Sequence, residues 1–410
     1  MTLYDTLHYS VVPPLFLLFF TPVVQVLTRV ADPQPLSWAV FTGNAFSWCF
    51  TAVMVLWAYL FLVLPGAVHH GPTTDFGQTP SYRANGMLYY TATLAAYALV
   101  ETLLLPGVSV LVFSNMAAIL ASLNVLALLL CTLLLVRGKT APQTAEVVPP
   151  RPLPHEFYRG MELHPRLLGV DVKQLTNCRL GMMLWQLLVL VFCVAGARLH
   201  GPSAGQLVGA AIQTVYIAKF FWWETGYFST LDITLDRAGY YLCWGCMVWV
   251  PCFYTYSTCF LVRHRSLLND TQAGLVLALG LAAVALNYRV DLEKQRFRRS
   301  TGECRLWGRP ATFVSAEYRT ASGWHKARLL TAGCWGVARH LNYTFEIAAA
   351  LCWCLPGLGH GLWPFLYVMF LSVLLVHRVF RDEAKCGEKY GKAWRRYCSQ
   401  VPYRMVPYVF

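Results

Sequence analysis

The chain has 410 residues, of which 57% are apolar and only 13% are charged. Soluble globular domains carry about 25% charged residues, so this composition excludes an ordinary soluble protein. The formal net charge of +13 is collected in blocks rather than spread over the chain, and we expect a membrane protein with no nucleic-acid partner.

Apolar segments follow one another along the whole chain. A helix that crosses a bilayer needs roughly 20 apolar residues. We expect about ten spans, an all-α polytopic fold and no separate soluble domain. The tenth, 343–357, is short and carries Glu346, so we interpret it as re-entrant or tilted. The other candidates are 11–30, 38–64, 86–105, 107–136, 180–198, 206–223, 239–262, 272–288 and 361–377.

The distribution of lysine and arginine predicts the topology. These residues are concentrated in 137–179, 289–339 and 378–404. Four spans separate the first two blocks and a helical hairpin separates the second and third, so all three can share one face. The positive-inside rule makes that face cytosolic, together with both termini. We interpret the first apolar stretch as a span, because it lacks the basic start of a signal peptide.

The spans divide into two predicted halves with different composition. Residues 1–137 form an N-terminal half of four spans with few charges. Residues 138–156 are rich in proline and threonine, which is typical of a flexible linker, here cytosolic. Residues 157–410 contain the dense polar motifs and are predicted to hold the functional site.

The fourteen cysteines do not indicate disulfides or a metal site. Cys243 and Cys246 are three apart, and Cys352 and Cys354 are two apart, but neither pair has the arrangement or polar surroundings of a zinc site. We expect buried, inert thiols and no metal.

Two pairs of charged residues at helical spacing have both a structural and a functional interpretation. Lys294 and Arg298 would share one helix face, either as a topological anchor or as a clamp for a phosphate group. Arg378 and Asp382 repeat this spacing at the end of the last span. They form either an intrahelical salt bridge or a site in which the carboxylate accepts a hydrogen bond from a ligand.

A further polar cluster precedes the short apolar segment. It contains Trp335, Arg339, His340 and Asn342. Interface anchoring explains a tryptophan but not the Arg-His-x-Asn sequence. The asparagine amide offers a donor and an acceptor suited to a carboxamide such as that of nicotinamide.

Polar residues near 216–240 leave two interpretations open. Tyr216 is either a core residue or, beside a nucleotide, a proton donor. Asp232 and Asp236 either pair with Arg237 or line a polar opening. The glycines at 357, 359 and 361 join two membrane segments, so we interpret them as a turn and not as a dinucleotide-binding fingerprint.

These motifs, in this order, resemble the sterol C14/C7/C24(28) reductase family over nearly all of 157–410, and within it the Δ7-reductase branch. The Δ7 assignment depends on further segments such as Thr176-Asn177-Cys178-Arg179 and Phe297 to Arg309. The matching family segments are Gly160-Met161-Glu162-Leu163-His164-Pro165-Arg166, Leu231-Asp232-Ile233, Gly333-x-Trp335-Gly336, Arg339-His340-x-Asn342-Tyr343, Arg381-Asp382-Glu383, Lys389-Tyr390-Gly391 and Val401-Pro402-Tyr403-Arg404.

The resemblance implies an NADPH-dependent oxidoreductase that reduces the Δ7 double bond of Δ5,7-sterols such as 7-dehydrocholesterol, by protonation and hydride transfer. The sterol would enter from the lipid. The implied catalytic residues are Tyr216, Asp382 and Glu346, although Phe345-Glu346 departs from the Gly-Asp typical of Δ14-reductases. The implied NADPH-binding residues are Lys294, Arg298, Trp335, Asn342, Arg378, Asp382 and Tyr390.

The family also implies residence in the endoplasmic reticulum membrane and leaves room for complexes with other enzymes of sterol biosynthesis. Three alternatives stay open at the level of sequence. One is a Δ14-reductase, since no residue pattern reads the position of the alkene. The second is a non-catalytic sterol-binding scaffold like the lamin B receptor. The third is a membrane methyltransferase that uses S-adenosylmethionine, although such enzymes are shorter.

Overall fold

The computed structural model describes residues 3–33, 37–74, 77–144, 150–300, 303–320 and 323–410. Residues 145–149 of the predicted linker, and Thr301 and Gly302 of the Δ7-type motif, lie outside the described residues. The chain divides into two compact units, unit 1 being Met1–Ser266 and unit 2 being Leu267–Phe410. The predicted functional halves, with their boundary at 138–156, stay a prediction.

Unit 1 is built from long helices. Its short helices are Leu3–Thr6, Val108–Ser114, Leu153–Arg159, Glu224–Tyr227 and Leu231–Thr234. Its strands form two antiparallel pairs, β1 (Val68–His70) with β2 (Ser81–Arg83) and β3 (Arg166–Leu167) with β4 (Val170–Asp171). The long helices are α1 (Leu7–Ala31), α2 (Ala39–Val63), α3 (Gly86–Leu104), α4 (Met116–Thr140), α5 (Gln174–His200), α6 (Ala204–Trp222) and α7 (Tyr240–Arg263).

Unit 2 combines four further helices with two hairpins. A short helix, Cys334–Val337, precedes α9, and single 3-10 turns at Leu355–Gly357 and Trp363–Phe365 lie between α9 and α10. The elements are α8 (Asp270–Arg299), β5 (Arg305–Leu306), β6 (Arg309–Pro310), β7 (Phe313–Thr320), β8 (Gly323–Leu330), α9 (Leu341–Cys354), α10 (Leu366–Tyr390) and α11 (Lys392–Gln400).

Among the described residues, eight helices are long and apolar enough to cross a membrane. The all-α polytopic fold class is therefore confirmed, with fewer such helices than the ten expected. The predicted span 206–223 is α6, whose glutamines and lysine lower its mean hydropathy. The predicted span 343–357 is α9, which at 14 residues is shorter than a bilayer core is thick.

The glycine turn is confirmed, because Gly359 and Gly361 both have positive φ and lie between α9 and α10. The predicted burial of the cysteine thiols is confirmed for ten of the fourteen, including the Cys243 and Cys246 pair and the Cys352 and Cys354 pair. It is wrong for the other four, since Cys304, Cys386 and Cys398 are half-buried and Cys49 is exposed.

Four segments of unit 1 are wound as π-helix, which the sequence pattern did not predict. They are Leu7–Val11 at the start of α1, Val100–Leu104 at the end of α3, Gln174–Gly181 at the start of α5, and Tyr240–Tyr254 in α7, which contains Pro251. A π-helix is rare and is frequently found at functional sites.

Buried charges hold the loop after α6 in place. Arg179 donates to the carboxylate of Glu224 and, at 2.8 Å, to Oδ1 of Asn85. The Arg179 side chain is fully buried and that of Glu224 is 3% exposed. Burial raises the pKa of Glu224, and the neighbouring guanidinium acts in the opposite direction. This ion pair ties α5 to the residues that follow α6.

The long hairpin of unit 2 presents one buried and one exposed face. Strands β7 and β8 pair Phe313 with Leu330 and Tyr318 with His325. On the inner face Val314 packs against Tyr397 of α11 in a small apolar cluster. The hairpin therefore has a fixed position on the helices of unit 2.

Removal of one partner of the Arg179–Glu224 pair tests its contribution to stability. We expect Arg179→Met to lower the free energy of unfolding by about 3–5 kcal/mol, because Glu224 stays buried without its cation. The double variant Arg179→Met/Glu224→Leu should recover most of the loss, since no buried charge remains. Titration with sodium dodecyl sulfate in mixed micelles, followed by circular dichroism, measures both. A single variant as stable as the wild type would contradict this role.

Candidate functional site

One face of α8 carries a line of polar residues. Asn287, Asp291, Lys294 and Arg298 are separated by four, three and four positions, which places them along one side of a helix. Asn287 is buried, Asp291 and Lys294 are half-buried, and Arg298 is exposed. The face therefore passes from an amide in the packed region to cations near solvent.

Trp335 packs against Lys294 at the centre of this face. The Lys294 Nζ atom lies 3.7 Å from the centroid of the indole ring, a cation–π contact. The Trp335 Nε1 atom donates to the carbonyl of Val290 at 2.8 Å. Glu293 fixes the short helix that carries Trp335, because its Oε2 accepts from the Cys334 amide at 2.8 Å. The ammonium group is held by an aromatic ring as well as by charge.

Asn342 presents a buried acceptor without a partner. Its Nδ2 donates to Asp291 Oδ1 at 3.1 Å, which orients the amide. Its Oδ1 is buried and accepts no hydrogen bond from the described residues. Asn287 supports the same region, donating to the Asn342 carbonyl and to Glu346 Oε2, both at 2.9 Å. A buried acceptor of this kind is costly unless a ligand or water satisfies it.

His340 lies beside Asp382 and is neutral at physiological pH. Its Nε2 atom is 3.8 Å from Asp382 Oδ2, and this nitrogen makes no hydrogen bond within the described residues. Burial lowers the pKa of His340 to about 4, with Lys294 acting in the same direction and Asp382 opposing it. The ring stacks on Tyr343 with centroids 5.3 Å apart. His340, Lys294 and Asp382 thus form one electrostatic cluster.

Arg339 connects α10 to the C-terminal segment. It donates to Glu383 Oε1 from Nε at 3.1 Å and from Nη2 at 2.5 Å. Its Nη1 donates to the carbonyls of Val401 and Pro402 at 2.5 and 3.0 Å. Glu383 also accepts from Arg404 Nε at 2.9 Å. We call Arg339, Glu383 and Arg404 the arginine clamp. Its role is structural, since its hydrogen bonds join α10 to the C-terminal segment.

Aromatic and cationic groups lie at the far end of α10. Tyr390 packs edge-on against Tyr318 of the hairpin, with centroids 5.5 Å apart. The Lys389 Nζ atom lies 4.0 Å from the Tyr318 ring centroid. Arg298 is within electrostatic reach of both Lys294 and Tyr390. These contacts continue the polar face beyond the end of α8.

The structure places most of the predicted site residues in unit 2. It brings together Lys294, Trp335 and Asp382, and it joins Asn342 to Glu346 through Asn287. Arg378 is one helical turn before Asp382 on α10.

Tyr216 belongs to unit 1, on α6. Its ring lies 5.5 Å from that of Trp185, and Lys219 Nζ lies 4.8 Å from its centroid. The two aspartates of the same region also have defined positions: Asp236 pairs with Arg159 at 2.5 Å, whereas Arg237 donates to the Met161 carbonyl.

Sequence reasoning missed Asn287, Asp291 and the arginine clamp. The spacing of Asn287 and Asp291 from Lys294 could have indicated them. Nothing in the sequence indicated that Arg339 donates its hydrogen bonds to Glu383 and not to Asp382.

The residues of unit 2 fit a dinucleotide cofactor that carries phosphate groups and a carboxamide. Lys294 and Arg298 suit phosphate oxygens, and the unsatisfied Asn342 Oδ1 suits the amide hydrogens of a carboxamide. Within the described residues no group of three or more histidine, cysteine, aspartate or glutamate side chains could hold a metal ion. The arrangement favours an anionic organic cofactor.

The fold and this cluster define a multi-pass membrane protein with a polar site built on its long helices. The chain belongs to the ergosterol biosynthesis ERG4/ERG24 family, whose model matches residues 11–410. The expected sterol reductase family is confirmed, and with it an oxidoreductase.

Sterol reductases with two different activities are similar to this chain. The 7-dehydrocholesterol reductase of Arabidopsis thaliana is 40% identical over 358 residues, 86% of this chain and 82% of the relative. That of Danio rerio is 32% identical over 385 residues, 89% and 80% of the two chains. The Delta(14)-sterol reductase of Methylotuvimicrobium alcaliphilum is 31% identical over 360 residues, 88% and 80% of the two chains.

Two adjacent carboxylates should respond differently to removal. We expect Glu383→Ala to lower the free energy of unfolding by about 3 kcal/mol, because two arginines lose their shared partner. Asp382→Ala should cost less than about 1 kcal/mol, since this side chain is 29% exposed. The same Asp382 variant should lower sterol reduction by about 100-fold. Thermal unfolding and turnover in detergent measure the stability and the activity of both variants. Equal destabilisation by the two substitutions would contradict a structural role for Glu383 alone.

Proposed function

We propose that this protein reduces the Δ7 double bond of Δ5,7-sterols, such as 7-dehydrocholesterol, with NADPH. The observation that carries the proposal is the 40% identity over 86% of the chain to a plant 7-dehydrocholesterol reductase. The cationic face of α8 and the unsatisfied amide oxygen of Asn342 support the cofactor. We further propose residence in the endoplasmic reticulum membrane with both termini cytosolic, close to other enzymes of sterol biosynthesis.

The residues of unit 2 would hold the cofactor as follows. Asn342 Oδ1 would accept from the carboxamide, while Asp291 keeps the amide turned in the required direction. Lys294 and Arg298 would bind phosphate oxygens, with Trp335 holding the Lys294 ammonium in place. Arg378, Asp382 and Tyr390 would provide the remaining contacts. NADPH, when bound, supplies a hydride.

A proton donor is needed because a hydrocarbon double bond without an electron-withdrawing substituent accepts hydride only once it is made electrophilic. Tyr216 is the proposed donor, with Asp382 or Glu346 as proton relays. The Lys219 ammonium near the Tyr216 ring favours the phenolate that forms when the proton leaves. Because His340 is neutral, the imidazole adds no positive charge beside Asp382, and Lys294 is a cation near this carboxylate.

Reduction of a Δ14 double bond is the second candidate. A Delta(14)-sterol reductase is 31% identical over 88% of the chain. Both reactions reduce a sterol ring alkene and would use the same cationic face for the cofactor. The two functions differ only in which sterol carbon the pocket presents.

Turnover by the full-length protein in membranes of a sterol-auxotrophic yeast tests the proposal. We expect the Δ5,7-diene absorbance of 7-dehydrocholesterol to disappear with NADPH, with a Δ5 product identified by mass spectrometry. An intact diene together with reduction of a Δ8,14-sterol would establish the second candidate instead. Reduction of neither sterol would reopen the scaffold interpretation.

Substitution of Tyr216 tests the proton donor. We expect Tyr216→Phe to lower kcat at least about 100-fold with little change in the KM for NADPH, because only proton transfer is lost. Tyr97→Phe is the matched control, since it removes a phenol bonded to Ser109 at 2.8 Å elsewhere in unit 1. Full turnover by a correctly folded Tyr216→Phe protein would exclude Tyr216 as the donor.

A further inference from the structure

A second polar cluster lies in unit 1, on the start of α5 and the loop that follows α6. Asn177 Nδ2 donates to the Tyr227 phenol oxygen, and that phenol donates to Asp232 Oδ2 at 3.4 Å. Asn177 is on the π-helical start of α5, while Tyr227 and Asp232 are on the loop between α6 and α7. We call these three residues the amide–phenol–carboxylate triad.

The triad borders apolar side chains and is not sealed. Tyr227 packs edge-on against Phe220, with ring centroids 5.1 Å apart. Both rings join a cluster whose buried members are Tyr82, Cys178, Phe228 and Ile233. All three triad residues are half-buried. A ligand with one polar atom on an apolar body could therefore reach hydrogen-bonding groups beside an aromatic surface.

The loop that carries Tyr227 and Asp232 is fixed at both ends by buried charges. At its start, Glu224 pairs with fully buried Arg179. At its end, the buried Lys173 Nζ donates to the carbonyls of Ile233 and Asp236 at 2.5 and 3.0 Å. Burying a charged group costs several kcal/mol of desolvation free energy before pairing. The two buried cations offset this cost only while their partners stay in place, so they fix the position of the loop.

A purely structural role explains the triad less well. The loop is already connected to α5 through Arg179 and Lys173, so a third connection adds little. A structural tie would also gain most from complete burial, whereas the triad keeps part of its surface open. Functional groups are held best by a rigid supporting shell, and the two buried cations provide one.

We propose that the amide–phenol–carboxylate triad binds the 3β-hydroxyl group of the sterol. This inference depends on the substrate class of the proposed function but not on which double bond is reduced. A sterol has a single hydroxyl, which can donate to the Asp232 carboxylate and accept from the Tyr227 phenol or the Asn177 amide.

The same aromatic surface leads to the proposed proton donor. Phe220, which contacts Tyr227, is four residues after Tyr216 on α6 and shares its helix face. This spacing corresponds to about 6 Å along the axis. A sterol lying along this face would therefore have its hydroxyl at the triad and its fused rings directed toward Tyr216.

Equilibrium binding in nanodiscs, without nucleotide, tests the inference. Energy transfer from protein tryptophans to the fluorescent 3β-hydroxysterol dehydroergosterol reports binding, and cholesterol and its 3-deoxy analogue serve as competitors. We expect the wild type to bind cholesterol about tenfold more tightly than the 3-deoxy sterol. Tyr227→Phe and Asp232→Asn should each remove most of that difference while leaving the affinity for the 3-deoxy sterol unchanged.

The controls separate a hydroxyl-binding site from a folding effect and from the reaction itself. Tyr97→Phe should keep the full discrimination between the two competitors. Equal weakening of both competitors by Tyr227→Phe and Asp232→Asn, or a wild type that does not distinguish them, would overturn the inference. Retained discrimination in a protein that reduces no sterol would overturn the proposed function and leave this inference standing.

Discussion

The cost of placing charge in hydrocarbon determines where the polar face of unit 2 can lie. Helix α8 has 30 residues and is therefore roughly 45 Å long, against a hydrocarbon core of about 30 Å. A helix of this length can extend its final turns, which carry Asp291, Lys294 and Arg298, beyond the apolar layer. Helix α10, with 25 residues, likewise brings Asp382 to its last turns. The site exists because these helices are longer than the bilayer requires.

In unit 1 the cost of burying charge is offset by partners for the buried cations and not by helices that extend beyond the apolar layer. Arg179 is completely buried and its charge is matched by Glu224, while Lys173 is satisfied by backbone carbonyls. Such pairs contribute little net stability, because desolvation offsets the attraction. Their effect is to define where neighbouring side chains lie, and the neighbours here are Asn177, Tyr227 and Asp232.

Hydropathy predicted the fold class and most spans, because a helix in lipid must be long and apolar. It overestimated their number at α6, where polar side chains interrupt the apolar run, and at α9, which is only 14 residues long. Helical spacing could predict that Lys294 and Arg298 share a face. It could not predict that Asn342 donates to Asp291, because that contact joins separate helices. The π-helical winding of α5 and α7 had no signal in the sequence pattern.

Acidic residues that are close in sequence need not share a role, and the degree of burial of each carboxylate distinguishes their roles. Glu383 is 14% exposed and accepts from two arginines, whereas Asp382 is 29% exposed beside neutral His340. Asp236 is 2% exposed and paired with Arg159, whereas Asp232 is half-buried and accepts from a phenol. In each pair the more buried carboxylate is fully used in holding the chain together. The other carboxylate has the larger exposed surface with which to bind a ligand or move a proton, so function is expected at Asp382 and Asp232.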